Sequence, residues 1–312
     1  MERMGRITLL VTALGMGSAL ATDYPLVVEN CGVTLTFERA PERVVAIKSS
    51  AAELVLALGQ GEKLVGMAFL DVPLPDEFAG IATRIPVLSE KLPSQEVVLE
   101  TEPDFIYGGW ESNFSADGAG ERSALMRLGI SGYVAPAACR TVQPPSLTFD
   151  HLFAEIAEIG RILDAEYAAT ALVAQQKAEI ENVARDERSL SAVWYSSGTK
   201  TPYVAGGTNA PAMMMEALGL DNIFASVGEG WTSASWEAIV DANPDVIVLV
   251  DAAWNSAEQK RKLLAENPIT SKLDAVVAQR YLVIPFPASE AGIRNVPATT
   301  DMARQLAQIQ IP

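Results

Sequence analysis

The chain has 312 residues, with 39 acidic against 23 basic side chains and a formal net charge of −16. That balance repels both the phosphate backbone of nucleic acids and anionic lipid surfaces, which excludes them as partners. The length exceeds what one hydrophobic core comfortably serves and suits two lobes of ordinary size.

At the start, Arg3 and Arg6 precede an apolar run from Ile7 to Leu20, and Ala19-Leu20-Ala21 stands before the polar Thr22-Asp23. Charged, apolar and small residues in that order read as a secretory signal. The run, about 14 residues, is shorter than the roughly 20 needed to span a bilayer. Residues 1–21 are therefore expected to be removed near Ala21, leaving a periplasmic chain; Thr12, Gly15 and Gly17 argue against an ordinary N-terminal helix. The two cysteines, Cys31 and Cys139, would then mature in an oxidising compartment. A disulfide between them is expected, with two buried free thiols as the alternative.

Residues 22–146 form the first expected lobe. A hairpin-like start, Leu26 to Phe37, leads to the strand Arg43 to Lys48, the polar Ser49-Ser50 and a helix from Ala51 to Leu58 closed by Gly59. Leu64 to Ala68, Asp104 to Tyr107 and Gly132 to Ala135 read as further strands, and Val97 to Leu99 and Ser123 to Leu128 as helices. Strand, polar turn and helix in alternation are the grammar of a parallel α/β sheet. From Thr148 to about Arg185 the only Gly or Pro is Gly160, and Leu152, Ile156, Ile159, Leu163, Tyr167 and Leu172 recur at helical spacing. Residues 147–188 are thus expected as one connecting helix approaching about 50 Å, unless Gly160 or Asp164 breaks it. Residues 189–312 repeat the α/β grammar, with strands at Ser191 to Tyr195, Pro202 to Ala205, Asp245 to Val250 and Tyr281 to Ile284, and helices at Ala210 to Leu218, Pro268 to Ala278 and Ala298 to Ile309.

The halves rhyme: Glu102-Pro103-Asp104 leads into one buried strand and Asn243-Pro244-Asp245 into the other. Ligands of open α/β sheets bind at the carboxyl ends of the strands, so two facing lobes make one cleft. The candidate binding residues lie there. Lys48 and Ser49 stand where an ammonium and backbone N–H groups suit an anion. Trp110 and Glu111 follow Gly108-Gly109, which permits close approach of a ligand. Tyr195, Trp231 and Trp254 offer aromatic faces in the second lobe. Arg294 has a planar fork for a carboxylate or phosphate, with Glu290 as the simpler partner. Arg84 and Arg140 are further possibilities, Trp236 and Met213-Met214-Met215 read as packing, and Tyr107, Tyr195 and Tyr203 are equivalent as possible haem ligands.

The single histidine, His151, reads as a helix-capping or surface residue, so a histidine metal cluster is not expected. No Gly-x-Ser-x-Gly, Gly-x-Gly-x-x-Gly or phosphate-loop Gly-Lys-Ser/Thr occurs, which leaves hydrolase, dinucleotide and nucleoside-triphosphate sites without support. Neither enzyme chemistry nor a resident cofactor is expected.

Ala40-Pro41-Glu42-Arg43-Val44-Val45, the Glu-Pro-Asp strand, Tyr203-Val-Ala-Gly-Gly207, Gly219 to Phe224 and Trp236 with Asn243-Pro-Asp-Val-Ile together resemble the periplasmic binding proteins for ferric siderophores, haem and cobalamin, over essentially the whole mature chain. Tyr24 to Gly32, Asn209-Ala-Pro211, Met213 to Glu216 and Trp231 to Trp236 resemble the branch labelled as binding a deazaflavin-coenzyme precursor. The resemblance implies two Rossmann-like α/β lobes joined by a long helix with little hinge motion, and a monomer that binds a small molecule, a ferric chelate first. A corrinoid or deazaflavin-type precursor is the alternative ligand, and a ligand-sensing role beside a receptor the alternative use. The implied partners are a membrane permease and an ATPase of an ABC importer. Docking is carried by one acid on each lobe: Glu121 in the first, and in the second Glu216, because Met213 stands where the acid is expected.

Overall fold

The structure, a computed structural model, describes residues 22–311; the expected signal segment, residues 1–21, lies outside the described residues. The chain opens on a hairpin of β1 (Leu26–Asn30) and β2 (Val33–Phe37). Its turn is Cys31-Gly32, both at positive φ (47° and 75°), the backbone that two-residue hairpin turns demand. Alternate residues Leu26, Val28, Leu35 and Phe37 turn inward.

The first lobe is a five-stranded parallel sheet in the order β5-β4-β3-β6-β7. Its strands are β3 (Val44–Ile47), β4 (Leu64–Ala68), β5 (Val87–Ser89), β6 (Phe105–Gly108) and β7 (Ser131–Val134). The central β3 is wholly apolar and wholly buried, as a strand covered on both faces must be. Helices α1 (Ser49–Ala57), α2 (Ala79–Ala82), α3 (Gln95–Leu99) and α4 (Arg122–Arg127) connect the strands. Cys31 is bonded to Cys139, 108 residues on, and so pins the hairpin to the segment beyond β7.

The expected single connecting helix is instead two: α5 (Phe149–Ile162) and α6 (Glu166–Glu181). The break falls at Leu163 to Ala165, where Asp164 takes φ 56°. Beyond it the chain reverses, and the helices pack side by side with Gly160 opposite Ala169, where a Cβ would stand 2.4 Å from the alanine methyl. Each helix therefore spans about 21–24 Å at 1.5 Å per residue, less than half the expected length. Helical spacing alone does not distinguish one helix from a tight hairpin of two. Both helices nevertheless bridge the lobes. Leu147 N–H bonds to the Thr208 carbonyl of the second lobe, α5 packs Phe153, Ile156, Ile159 and Ile162 into the first-lobe core, and α6 returns to meet Ile293 and Thr300. His151 caps α5 through a reciprocal pair with Thr148, its own expected role.

The second lobe carries β8 (Ser191–Ser197), β9 (Tyr203–Ala205), β10 (Asp221–Asn222), β11 (Trp231–Ser233), β12 (Val246–Asp251) and β13 (Tyr281–Pro285). Its order is β11-β9-β8-β12-β13, with β10 also on β8. Only part of the expected α/β grammar holds: β8, β12 and β13 run parallel, while β9 runs antiparallel to both β8 and β11. Helices α7 (Ala210–Leu218), α8 (Trp236–Ala242), α9 (Ala257–Glu266), α10 (Asp274–Val277) and α11 (Asn295–Leu306) cover it. Asn209, Ser235 and Ser256 cap α7, α8 and α9 through their side-chain oxygens. The helix expected over Pro268 to Ala278 is a short 3₁₀ turn followed by α10, because Leu273 takes an extended ψ of 133°. No helix among the described residues is long and apolar enough to cross a membrane.

Candidate functional site

The carboxyl ends of β3, β4 and β6 face those of β12 and β13, and the side chains that follow these strands meet between the lobes. Lys48 ends β3 with φ 86°, a backbone region unfavourable for any residue with a Cβ and costing on the order of 1–3 kcal/mol. That conformation turns its side chain inward, where it is 1% exposed. The ammonium pairs with Asp71, which follows β4, and lies 3.8 Å from the Trp110 ring centroid and 4.5 Å from that of Phe69. Ser49 Oγ accepts from the Asp71 N–H at 2.9 Å, which fixes the acid in place. The sequence assigned Lys48 to a ligand anion; in the structure its charge is already matched by Asp71 and covered by two rings.

Trp110 reaches across the cleft. Its Nε1–H donates to Glu290 Oε2 at 2.8 Å, and its ring meets Phe69 edge-on. Burial pushes the Glu290 carboxyl up, with the Trp110 hydrogen bond and Lys48 pulling against it and Asp71 adding to it. Arg294 does not pair with Glu290. It forms a two-pronged pair with Glu53 of α1, Nε and Nη2 each 2.6 Å from a carboxylate oxygen. Both interlobe contacts hang from the loop 286–295, whose shape is held by Asn295: its amide donates to Ala288 and Glu290 carbonyls and its oxygen accepts from Gly292 N–H.

Aromatic side chains form the rim. Trp231 stacks on Tyr203 with centroids 5.7 Å apart and planes 14° from parallel. Trp254, 61% exposed, meets Phe286 edge-on at 4.8 Å. Trp254 projects from a turn pinned by Lys260, whose ammonium donates to the Val250 and Asn255 carbonyls at 2.6 Å; burial pulls this lysine down to about 8, against the pull of Asp251. Burial and the charge of Glu290 push the Tyr203 hydroxyl up, and Arg140 pulls it down.

Several expected residues lie elsewhere. Tyr195 is 1% exposed, packed against Trp236, with its hydroxyl bonded to the Gly198 carbonyl; at its position on β8 it faces α8 rather than the cleft. Tyr107 is buried against Glu155 on α5, which leaves Tyr203 as the rim tyrosine of the three. Glu111 accepts from Arg140 N–H and from Thr141, and so ties down the segment after β7 rather than presenting a free carboxylate. Arg84 pairs with Glu62 on the outer surface. The space beside Gly108 and Gly109 is taken by Phe114, Lys48 and Ser50. Met213 is core, whereas Glu216 on α7 and Glu121 at the start of α4 are exposed. Sequence reasoning missed Asp71, Phe69 and Glu53. The first two stand at the end of a strand already recognised, and Glu53 is a lone charge within the apolar Ala51-Ala-Glu-Leu-Val55. Among the described residues no cluster of three or more His, Cys, Asp or Glu is placed to hold a metal.

The family model for periplasmic binding proteins matches residues 44–288, which spans both sheets and the helical connector. The chain belongs to the periplasmic binding protein family. Members of this family bind and hand over solutes and are not enzymes. An uncharacterised ABC-transporter substrate-binding lipoprotein of Bacillus subtilis is 24% identical over 291 residues, covering 91% of this chain and 86% of that one. A cobalamin-binding protein of Halobacterium salinarum is 27% identical over 241 residues, covering 73% of this chain and 59% of that one. Among solved structures, an ABC-type Fe3+-hydroxamate transport system protein of Saccharomonospora viridis superposes with a TM-score of 0.78 at 25% identity, covering 91% of this chain and 99% of that one.

Proposed function

We propose that the chain is the extracytoplasmic solute-binding component of an ABC importer, released by cleavage near Ala21. It captures a metal chelate or cofactor-like small molecule, a ferric siderophore first, and delivers it as a monomer to a permease and its ATPase. The observation that carries this reading is the cleft itself: strand ends of two sheets face each other across a rim of Trp231, Tyr203, Trp254 and Phe286, in a chain of this family. Flat apolar faces with few polar anchors suit a mid-sized organic ligand. Trp110, Trp231 and Trp254 are the binding residues of this reading, with Lys48 and Ser49 behind Trp110 holding Asp71 in place, and Glu121 and Glu216 are its docking acids.

A corrinoid or deazaflavin-type cofactor precursor is the second reading, favoured by the near-parallel stack of Trp231 on Tyr203, which extends naturally onto another planar ring. Native mass spectrometry of gently purified protein, followed by titration with ferric hydroxamate, haem and cobalamin under tryptophan fluorescence, separates the readings. Saturable quenching by one class identifies it. Absence of any retained mass, quenching or rise in Tm across the panel would sink the small-molecule function.

A further inference from the structure

The inner cleft holds two carboxylates and one ammonium. Asp71 is paired with Lys48, which also pulls on Glu290, and among the described residues the one hydrogen bond to the Glu290 carboxylate comes from the uncharged indole N–H of Trp110. The other interlobe cation, Arg294, is committed to Glu53. Arg140, whose charge acts on Tyr203, is exposed and screened by water. Enclosure raises the proton affinity of Glu290, the behaviour of an anion short of compensating charge. Trp110 therefore fills two roles that a ligand would otherwise take. Its ring covers the Lys48–Asp71 pair, and its N–H satisfies the buried acid.

We infer that the cleft selects a ligand bearing a flat conjugated group with an N–H donor or a positive charge, which replaces the Trp110 indole at Glu290, and that it discriminates against carboxylated, polyanionic ligands. This rests on the solute-binding function proposed above and narrows its substrate class: within the ferric chelates it favours neutral or cationic complexes over anionic ones. It also reverses the expectation that Lys48 captures a ligand anion. The physical reason is that a second anion in the inner cleft would face Glu290 and Asp71 with the single ammonium already paired, whereas a donor or cation gains a charge-assisted hydrogen bond in a water-poor site.

Two rigid isosteres of opposite charge test this. 9-Aminoacridine is a flat cation with N–H donors, and acridine-9-carboxylate is the same ring with an anion. Isothermal titration should show the amine binding at least about tenfold more tightly, the equivalent of one charge-assisted hydrogen bond of about 1.4 kcal/mol. Glu290→Gln should collapse that preference to within about threefold. Trp110→Phe, which keeps an aromatic ring, though a smaller one, and removes the competing N–H, should tighten amine binding. Equal or tighter binding of the carboxylate, no binding of the amine, or an unchanged ratio in Glu290→Gln would overturn the inference. If the amine fails while a ferric hydroxamate, haem or cobalamin still binds, the solute-binding function stands and only the charge selection falls. Circular dichroism of both variants separates lost selectivity from lost fold.

Discussion

Arg294 of the second lobe grips Glu53 of the first through two parallel hydrogen bonds of 2.6 Å, and the Glu53 side chain is 2% exposed. Bidentate geometry and near-complete burial make this a pair that is costly to break from one side and cheap to remove from both. Arg294→Ala should destabilise the protein by on the order of 3 kcal/mol in urea unfolding. Glu53→Leu with Arg294→Met should recover most of that loss. A double variant no more stable than the single one would show that the pair is not what the single substitution removes.

Glu155 on α5 is enclosed by Tyr107, Ser50, Leu54 and the Gly292-Ile293 turn of the opposite lobe. Burial raises its carboxyl to about 7, with the Tyr107 hydrogen bond lowering it and Glu158 raising it. A folded-state value above the unfolded one means no penalty at low pH, where both states are protonated, and a growing penalty as pH rises from about 4.5 through about 7. Glu155→Gln should therefore flatten the loss of stability between pH 5 and pH 8, by up to about 3 kcal/mol at the upper end. Parallel unfolding curves for the two proteins across that range would contradict it.

The Cys31–Cys139 bond closes a loop of 108 residues. In the chain-entropy account, loops of that size are worth on the order of 4–5 kcal/mol. Replacing both cysteines by serine, or reducing the protein, should lower Tm by several degrees or more, while ligand titrations of the folded fraction remain unchanged. An unaltered melting curve would remove the bond from the stability of the first lobe.

Glu121 and Glu216 are exposed, and among the described residues neither carboxylate enters a hydrogen bond or ion pair. Charge reversal of either to Lys should leave ligand affinity within about twofold and reduce transport several-fold, because rim charges act on encounter with a partner more than on the fold. Uptake assays in cells carrying the permease read the first quantity against the second. Normal uptake by both variants would place docking elsewhere on the surface.

Four of the five strands of the first lobe were legible because each is a short apolar run bounded by polar or Gly residues, the look of a parallel strand buried on both faces; the three-residue edge strand β5, exposed or half-buried throughout, carries no such signal. The helix from Ala210 to Leu218 was equally local. What escaped depended on the third dimension. Tyr195 and Trp194 point to opposite faces of β8 and are both buried in the second-lobe core, which face receives α8 deciding only which cluster each joins. That Lys48 turns inward depends on Asp71, 23 residues away. The break at Asp164 was one of the two the sequence offered, but the reversal beyond it escaped, since an amphipathic stripe fits a helix packed on a lobe and a helix packed on its own neighbour alike.

The manner in which α5 fills the first lobe bears on how the protein is made. Phe153, Ile156, Ile159 and Ile162 are part of the first-lobe core, and Ala169 of α6 belongs to the same cluster, although all of them lie beyond residue 146, where the sequence suggested that the lobe ends. The first lobe thus has no finished interior until the chain through Ala169 has left the export channel. Before that point the apolar faces of α1 and β6 have nothing to rest on. A segment ending at residue 146 would carry them exposed, so the earliest moment at which the nascent chain resists a protease should come after Ala169 has emerged.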